Sequence, residues 1–258
     1  MSRFANLEFE GESDHQPPSP RALVKDEAYY LSEAQTAFEN GEFEPALRRF
    51  AKVIEFNPSN ATAWTGQVRA LLELGEYHEA KMWADKALEL FPGEPELLAA
   101  KGVALARAGD LHAALTFSDA AIAECGNTPY VWLARGDVLL ARDAPSADYC
   151  FDKALSLKPG DWIVRWLAAR IRAHYEQFAL ALKLLQQALE VNGAHFLLWL
   201  ELGRCQTALG LVSPARHSLE QALQINPRSI LVHQAIAAVA DTGVGGRLAG
   251  WWRRLFPR

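Results

Sequence analysis

Ala61-Thr62-Ala63-Trp64 opens a stretch that runs through Gly75-Glu76-Tyr77-His78-Glu79-Ala80 and closes on Ala87-Leu88-Glu89-Leu90-Phe91-Pro92. A glycine between two segments supplies the permissive backbone of a tight helix-to-helix turn. A proline at the far end stops a helix. The stretch therefore reads as a pair of helices, and it recurs. Pro58, Pro92, Pro159 and Pro227 each follow a Val-Ile or Ala-Leu pair (Val53-Ile54, Ala87-Leu88, Ala154-Leu155, Ala222-Leu223). Gly126 and Gly193 fill the gaps in that series, which then advances by 34, 34, 33, 34 and 34 residues. Gly41, Gly75, Gly109 and Gly210 hold the mid-unit turn. Ala46, Ala80, Ala114 and Ala215, with Ala181 as counterpart in the fifth unit, stand five residues later in phase. Small residues there let two helices approach closely, and Trp64, Trp132 and Trp199 fill the space between units. A constant period of this length marks a stacked repeat array.

Composition sets the outer limits. The chain has 258 residues, 26 Lys plus Arg against 31 Asp plus Glu, and a net charge of -5. An acidic balance argues against nucleic-acid binding, whose affinity comes largely from neutralised phosphates. Cys125, Cys150 and Cys205 are odd in number and far apart, which fits a reducing, cytoplasmic compartment better than a disulfide framework. Residues 1 to 10 lack the apolar core of a signal peptide, and no stretch approaches the roughly 18 apolar residues of a membrane span.

The pattern of Trp, Gly, Tyr, Ala, Ala and Pro in residues 61–92, and of Trp199, Gly203, Ala215, Ala222 and Pro227, resembles the tetratricopeptide repeat (TPR), a 34-residue pair of antiparallel helices. The resemblance covers residues 26–242, as six repeats and a closing helix from Ile230 to Thr242. It implies an all-α fold, a right-handed α-solenoid superhelix of tandem helix-turn-helix repeats. An RNA-reading repeat class with 35-residue units fits the period less well. The fourth unit departs from the pattern: it has Asp143 at the turn glycine, then Pro145-Ser146, and one residue fewer. The fifth has Tyr175-Glu176 at its turn. Reshaped turns are expected in both, and two registers one residue apart remain open there.

The family's inward-facing positions place Arg69, Asp137, Arg165, Trp166, Arg172 and Arg204 on the concave face. The expected function is a non-catalytic scaffold or adaptor that holds a peptide or helix of a protein partner in that groove. Arginine suits bidentate capture of carboxylates, so an acidic segment is the expected partner. The alternative is that these are ordinary solvated arginines. The Lys and Asn set with which some relatives clamp the C-terminal carboxylate of chaperones is absent.

Residues 243–246 read as a glycine hinge. Beyond it Leu248, Trp251, Trp252, Leu255 and Phe256 fall on one helical face. Arg253, Arg254 and two further arginines give this tail +4, leaving -9 on the rest of the chain. Three roles fit a basic, Trp-rich tail: docking at the inner face of a membrane as a peripheral assembly factor, docking on a partner, or capping the last repeat. Residues 1–25, with Pro17, Pro18 and Pro20, read as an acidic, disordered leader. The seven histidines show no metal-ligand spacing, and no nucleophile, phosphate loop or paired carboxylates stand out. Neither catalysis nor a cofactor is expected, and oligomeric state is left open.

Overall fold

In a computed structural model of the chain, residues 25–239 are described; the leader and the tail, with Leu248, Trp251, Trp252, Arg253, Arg254, Leu255 and Phe256, lie outside them. The described residues form thirteen helices and no strand. They pair as α1 (Glu27–Glu39) with α2 (Phe43–Phe56), α3 (Ala61–Leu74) with α4 (Tyr77–Leu90), and α5 (Pro95–Arg107) with α6 (Leu111–Ala123). Then come α7 (Pro129–Leu140) with α8 (Ala147–Leu157), α9 (Trp162–His174) with α10 (Phe178–Val191), and α11 (Phe196–Ala208) with α12 (Val212–Ile225). The closing α13 is described over residues 230–239.

Local chemistry sets the helix starts. Asp26, Asn60, Asp110, Thr128 and Asp161 accept hydrogen bonds from first-turn amides of α1, α3, α6, α7 and α9. Between the helices of a pair, Gly41, Gly75, Gly109 and Gly210 take φ of 72°, 83°, 95° and 74°. Asp143 and Glu176 adopt the same left-handed conformation, at 53° and 58°. The expected reshaping of those two turns is thus corrected: the backbone keeps the turn and tolerates side chains that favour it less. What changes is α8. It is 11 residues long against 14 for α2, α4, α10 and α12. The missing residue falls between Asp143 and Ala147, so Pro145 and Ser146 stand where a first helical turn would be. Ala147 takes the small-residue place held by Ala46, Ala80, Ala114, Ala181 and Ala215, all fully or nearly buried.

At every unit boundary except Pro92, where Leu98 stands, a side-chain donor lies six residues past the stopper. Trp64 Nε1 donates to the Pro58 carbonyl at 2.9 Å and Trp199 Nε1 to that of Gly193 at 2.8 Å. Trp132 Nε1 donates instead to Asn127 Oδ1 at 2.9 Å. Gly126 replaces proline because a Cβ there would lie 2.3 Å from the Ala121 carbonyl oxygen.

First helices line the inside of the curve, and the curve closes on itself. The α1–α2 turn reaches α9 and the start of α11. Phe43 stacks on Trp166 with ring centroids 6.3 Å apart and 8° between planes. Asn40 Oδ1 lies 3.2 Å from His195 Nε2, and Gly41 packs against Leu197. Glu73 on α3 accepts from Arg170 Nε on α9 at 2.7 Å. One buried apolar cluster accordingly holds Phe38, Phe50, Trp166, Leu197 and Leu198 together, although the first and sixth units are far apart in sequence.

Candidate functional site

Closure leaves a chamber of about 400 Å³ on the concave face. Its apolar wall is Phe38, Phe50, Leu133, Ile163, Val164 and Leu167, from α1, α2, α7 and α9. Its polar wall is Gln35, Glu39, Thr62, Thr65, Arg69, Glu96, Tyr130, Lys158 and Asp161. A second void of about 30 Å³ lies beside it, lined by Arg69, Glu73, Arg107, Tyr130 and Asp137 among others. That volume suits about one water.

Arg69, Tyr130, Leu133 and Leu167 line both, and Arg69 is the charged one among them. Its guanidinium sits 3.9 Å from the Tyr130 ring centroid and 5.0 Å from that of Phe38. It makes no ion pair and no hydrogen bond within the described residues. The Tyr130 hydroxyl is buried without a partner. Burial pushes its pKa above the usual phenol range, the nearby Arg69 charge notwithstanding. On the same chamber, Glu39, which follows Phe38 in α1, likewise has no ion pair or hydrogen bond. Burial, then the Asp161 carboxylate across the seam, hold its carboxyl above the ordinary range.

Two ionic networks lie at the smaller void, which Glu73, Arg107 and Asp137 line. Arg170 bridges Glu73 at 2.7 Å and Glu201 at 2.9 Å, and Arg204 adds a 3.3 Å contact to Glu201. Burial raises the Glu73 carboxyl, but Arg170 and Arg107 more than offset it and leave its pKa lowered. Arg107 pairs with Asp137 at 2.7 Å, and the Tyr175 hydroxyl donates to Asp137 at 2.7 Å.

The expected groove residues separate. Arg69 lines the chamber, and Asp137 lines the smaller void, 1% exposed and already paired. Trp166 is fully buried in the seam, which corrects its reading as groove lining. Arg172 is also buried; it pairs with Asp148 at 2.6 Å and lies over Phe151, so it faces α8 instead of the concave side. Arg165 donates to the carbonyls of Pro159 and Asp161, so it is the fifth unit's version of the boundary-pinning donor. Arg204 is the exposed end of the Glu201 network. An electropositive groove does not form, because most of these guanidiniums have structural partners.

Sequence reading missed Arg170, Glu73, Arg107, Glu39 and Tyr130. The signal for Arg170 was present. Arg69, Val103 and Asp137 are 34 apart; a 33-residue step, for the short fourth unit, lands on Arg170, and 34 more lands on Arg204. No such signal marks Glu39, whose place depends on closure. Among the described residues no group of three His, Cys, Asp or Glu is placed to hold a metal. Cys150 and Cys205 are buried, and burial pushes the Cys205 thiol up to about 12, so it is no nucleophile.

Stacked antiparallel helix pairs in a closed curve, with an open-mouthed chamber and no assembled reaction centre among the described residues, define an α-solenoid. Two tetratricopeptide repeat models match it, one over residues 31–95 and 65–130 and another over 173–239. The chain belongs to the tetratricopeptide repeat family. The unmatched residues 131–172 hold most of the short fourth unit. The chain is similar to a tetratricopeptide repeat protein from Parabacteroides merdae, with 16% identity, a TM-score of 0.53, and 85% of this chain and 86% of that one covered. A thermophilic TPR protein of Thermus thermophilus gives 16% and 0.50, covering 83% and 98%. A chain of the APC/C hetero-tetramer Cut9–Hcn1 gives 18% and 0.50, and this chain spans 43% of its length. These likenesses carry the fold. No curated protein matches the chain. Proteins of this family generally mediate protein–protein interactions.

Proposed function

We propose that the protein is a non-catalytic interaction scaffold that receives a short segment of a partner protein in the concave chamber. The observation that carries this reading is Arg69, a guanidinium stacked on Tyr130 at 3.9 Å and without an ion pair or hydrogen bond, on the wall of a 400 Å³ cavity. Ligand pockets run from roughly 300 to 1,000 Å³, with mostly apolar walls and a few placed polar groups. A chamber of about 400 Å³ is too small for a long helix, so the reading narrows from a peptide or helix laid along a groove to a segment end or a few side chains.

The test is a displayed random-peptide library selected on the full chain, with each selected peptide remeasured on Ile163→Trp and Met82→Trp. The first substitution fills the chamber; the second adds bulk at an exposed outer position. Selected peptides should lose at least about tenfold in affinity on Ile163→Trp only. Equal binding to both variants sinks the reading. A second role, docking of residues 243–258 at a membrane surface, is supported by their basic, apolar-faced sequence. Equal recovery of the full chain and a 1–246 truncation with anionic vesicles would remove it.

A further inference from the structure

The chamber wall carries two charges of opposite sign that make no ion pair or hydrogen bond, and they stand on different units. Arg69 on α3 contacts the rings of Phe38 and Tyr130, and its charge acts on buried Glu73 beside the smaller void, an acid already bonded to Arg170. Glu39, at the end of α1, is half-buried and has no hydrogen bond or ion pair. The other acids of the wall are engaged. Asp161 accepts from the Ile163 amide at 2.8 Å and lies 3.8 Å from Lys158. Glu96 accepts from Thr128 Oγ1 at 2.7 Å. Next to Arg69 the Tyr130 hydroxyl, shielded from solvent, lacks any partner. Unpaired buried polar groups cost stability, so such a set is a demand for complementary ligand groups. An anion is wanted at Arg69. A cation is wanted at Glu39, where the Asp161 carboxylate adds to the field. Phe38, Leu133, Val164 and Leu167 supply apolar surface on the same wall.

We propose that the chamber binds a lysine-like ligand: a carboxylate on Arg69, and an alkylammonium or guanidinium on Glu39 and Asp161, joined by a short aliphatic body. This rests on the reading of the chamber as the docking site. The chemistry has two sources, a free basic amino acid or a partner chain whose last residue is Lys or Arg. It departs from an acidic partner, because Glu39 and Asp161 repel a second carboxylate. Burial of Glu39 beside Asp161 favours the same conclusion, since a bound cation relieves both.

Calorimetric titration of the full chain tests it with four probes: N-acetyl-alanyl-leucyl-lysine with a free carboxylate, its C-terminal amide, its norleucine analogue lacking the ammonium, and L-lysine. The first should bind at least about tenfold more tightly than the second and third. Arg69→Gln should erase the acid-to-amide difference, and Glu39→Gln the lysine-to-norleucine difference, while Arg69→Lys keeps part of the first. Arg69→Gln removes one of the cations that favour ionised Glu73 but leaves its Arg170 bond, Glu39→Gln breaks no hydrogen bond or ion pair, and urea midpoints matching the parent's confirm that both fold. L-Lysine binding as tightly as the peptide assigns a free amino acid; peptide binding alone assigns a chain end; either supports the proposal. Absence of binding at millimolar concentrations, or charge preferences that survive both substitutions, overturns it. Library peptides that lose affinity on Ile163→Trp but need neither charge would overturn it while leaving the docking reading intact.

Discussion

Replacing Arg170 by Met should destabilise the fold far more than the same change at Arg204, although both arginines touch Glu201. Arg170 lies at the seam. Its guanidinium holds Glu73 at 2.7 Å and Glu201 at 2.9 Å, over the rings of Phe43 at 4.9 Å and Trp166 at 5.5 Å. The carboxylate side chains are only 14% and 11% exposed. Removing one partner of a buried pair costs about 3–5 kcal/mol, because a charge is left without compensation. Arg204 still faces Glu201, so the loss falls mainly on Glu73 and should be about 3 kcal/mol. Arg204 itself is 42% exposed and three residues from Glu201 on the same helix. Pairs of that kind contribute less than about 1 kcal/mol. Arg170→Met combined with Glu73→Leu should recover most of the loss, since apolar replacement of both partners is often neutral. Urea unfolding followed by tryptophan fluorescence reads the differences, Trp166 being in the seam. Hydrogen exchange at α1 and α9 shows whether the loss is local, which matters in a repeat array. A cost at Arg170 no larger than at Arg204 would refute the seam as a source of stability.

Further expectations follow from the turns, the histidines and the seam rings. Glu176→Gly should raise the unfolding free energy by about 0.5–1 kcal/mol, because its φ of 58° suits glycine, while Gly75→Ala at 83° should lower it by about 1 kcal/mol. Burial lowers the pKa of His195, and burial followed by the Arg107 charge lowers that of His174. The unfolded chain therefore takes up protons first as pH drops below about 6.5, and stability falls there. Glu39, with a raised pKa, works in the opposite sense but at more acidic pH. Urea midpoints should decline between about pH 7.5 and 5.5, and a His174→Gln/His195→Gln variant should flatten that decline. Phe43→Leu should cost more than loss of the ring stack alone, about 0.5–1.5 kcal/mol, if the ring also seals the seam against water.

The helix pairs were legible in residues 61–92 because Gly75 and Pro92 carry their backbone consequences wherever they stand. The concave site was legible only at Arg69 and Asp137. Register lost Arg170: one residue missing before Ala147 moves every later position, and a uniform 34-residue step from Asp137 lands on its neighbour Ile171. Arg165 misled for a different reason, since an arginine at the tryptophan phase donates to the Pro159 carbonyl as Trp64 does to Pro58. Closure was beyond sequence reading altogether. It depends on small rotations accumulated between successive units, and no local pattern around Asn40 or Glu39 encodes a neighbour such as His195 or Asp161.

Closure of the curve underlies both the chamber and its unpaired charges, and a cross-link over the seam tests it most directly. Asn40 and His195 meet side chain to side chain at 3.2 Å. An Asn40→Cys/His195→Cys variant, with Cys125→Ser to remove the exposed native thiol, should be joined within one chain by a short bis-maleimide, shown in the monomer fraction by intact mass and a faster band on a denaturing gel. Two separately modified thiols, or cross-links found only between chains, would contradict a closed array.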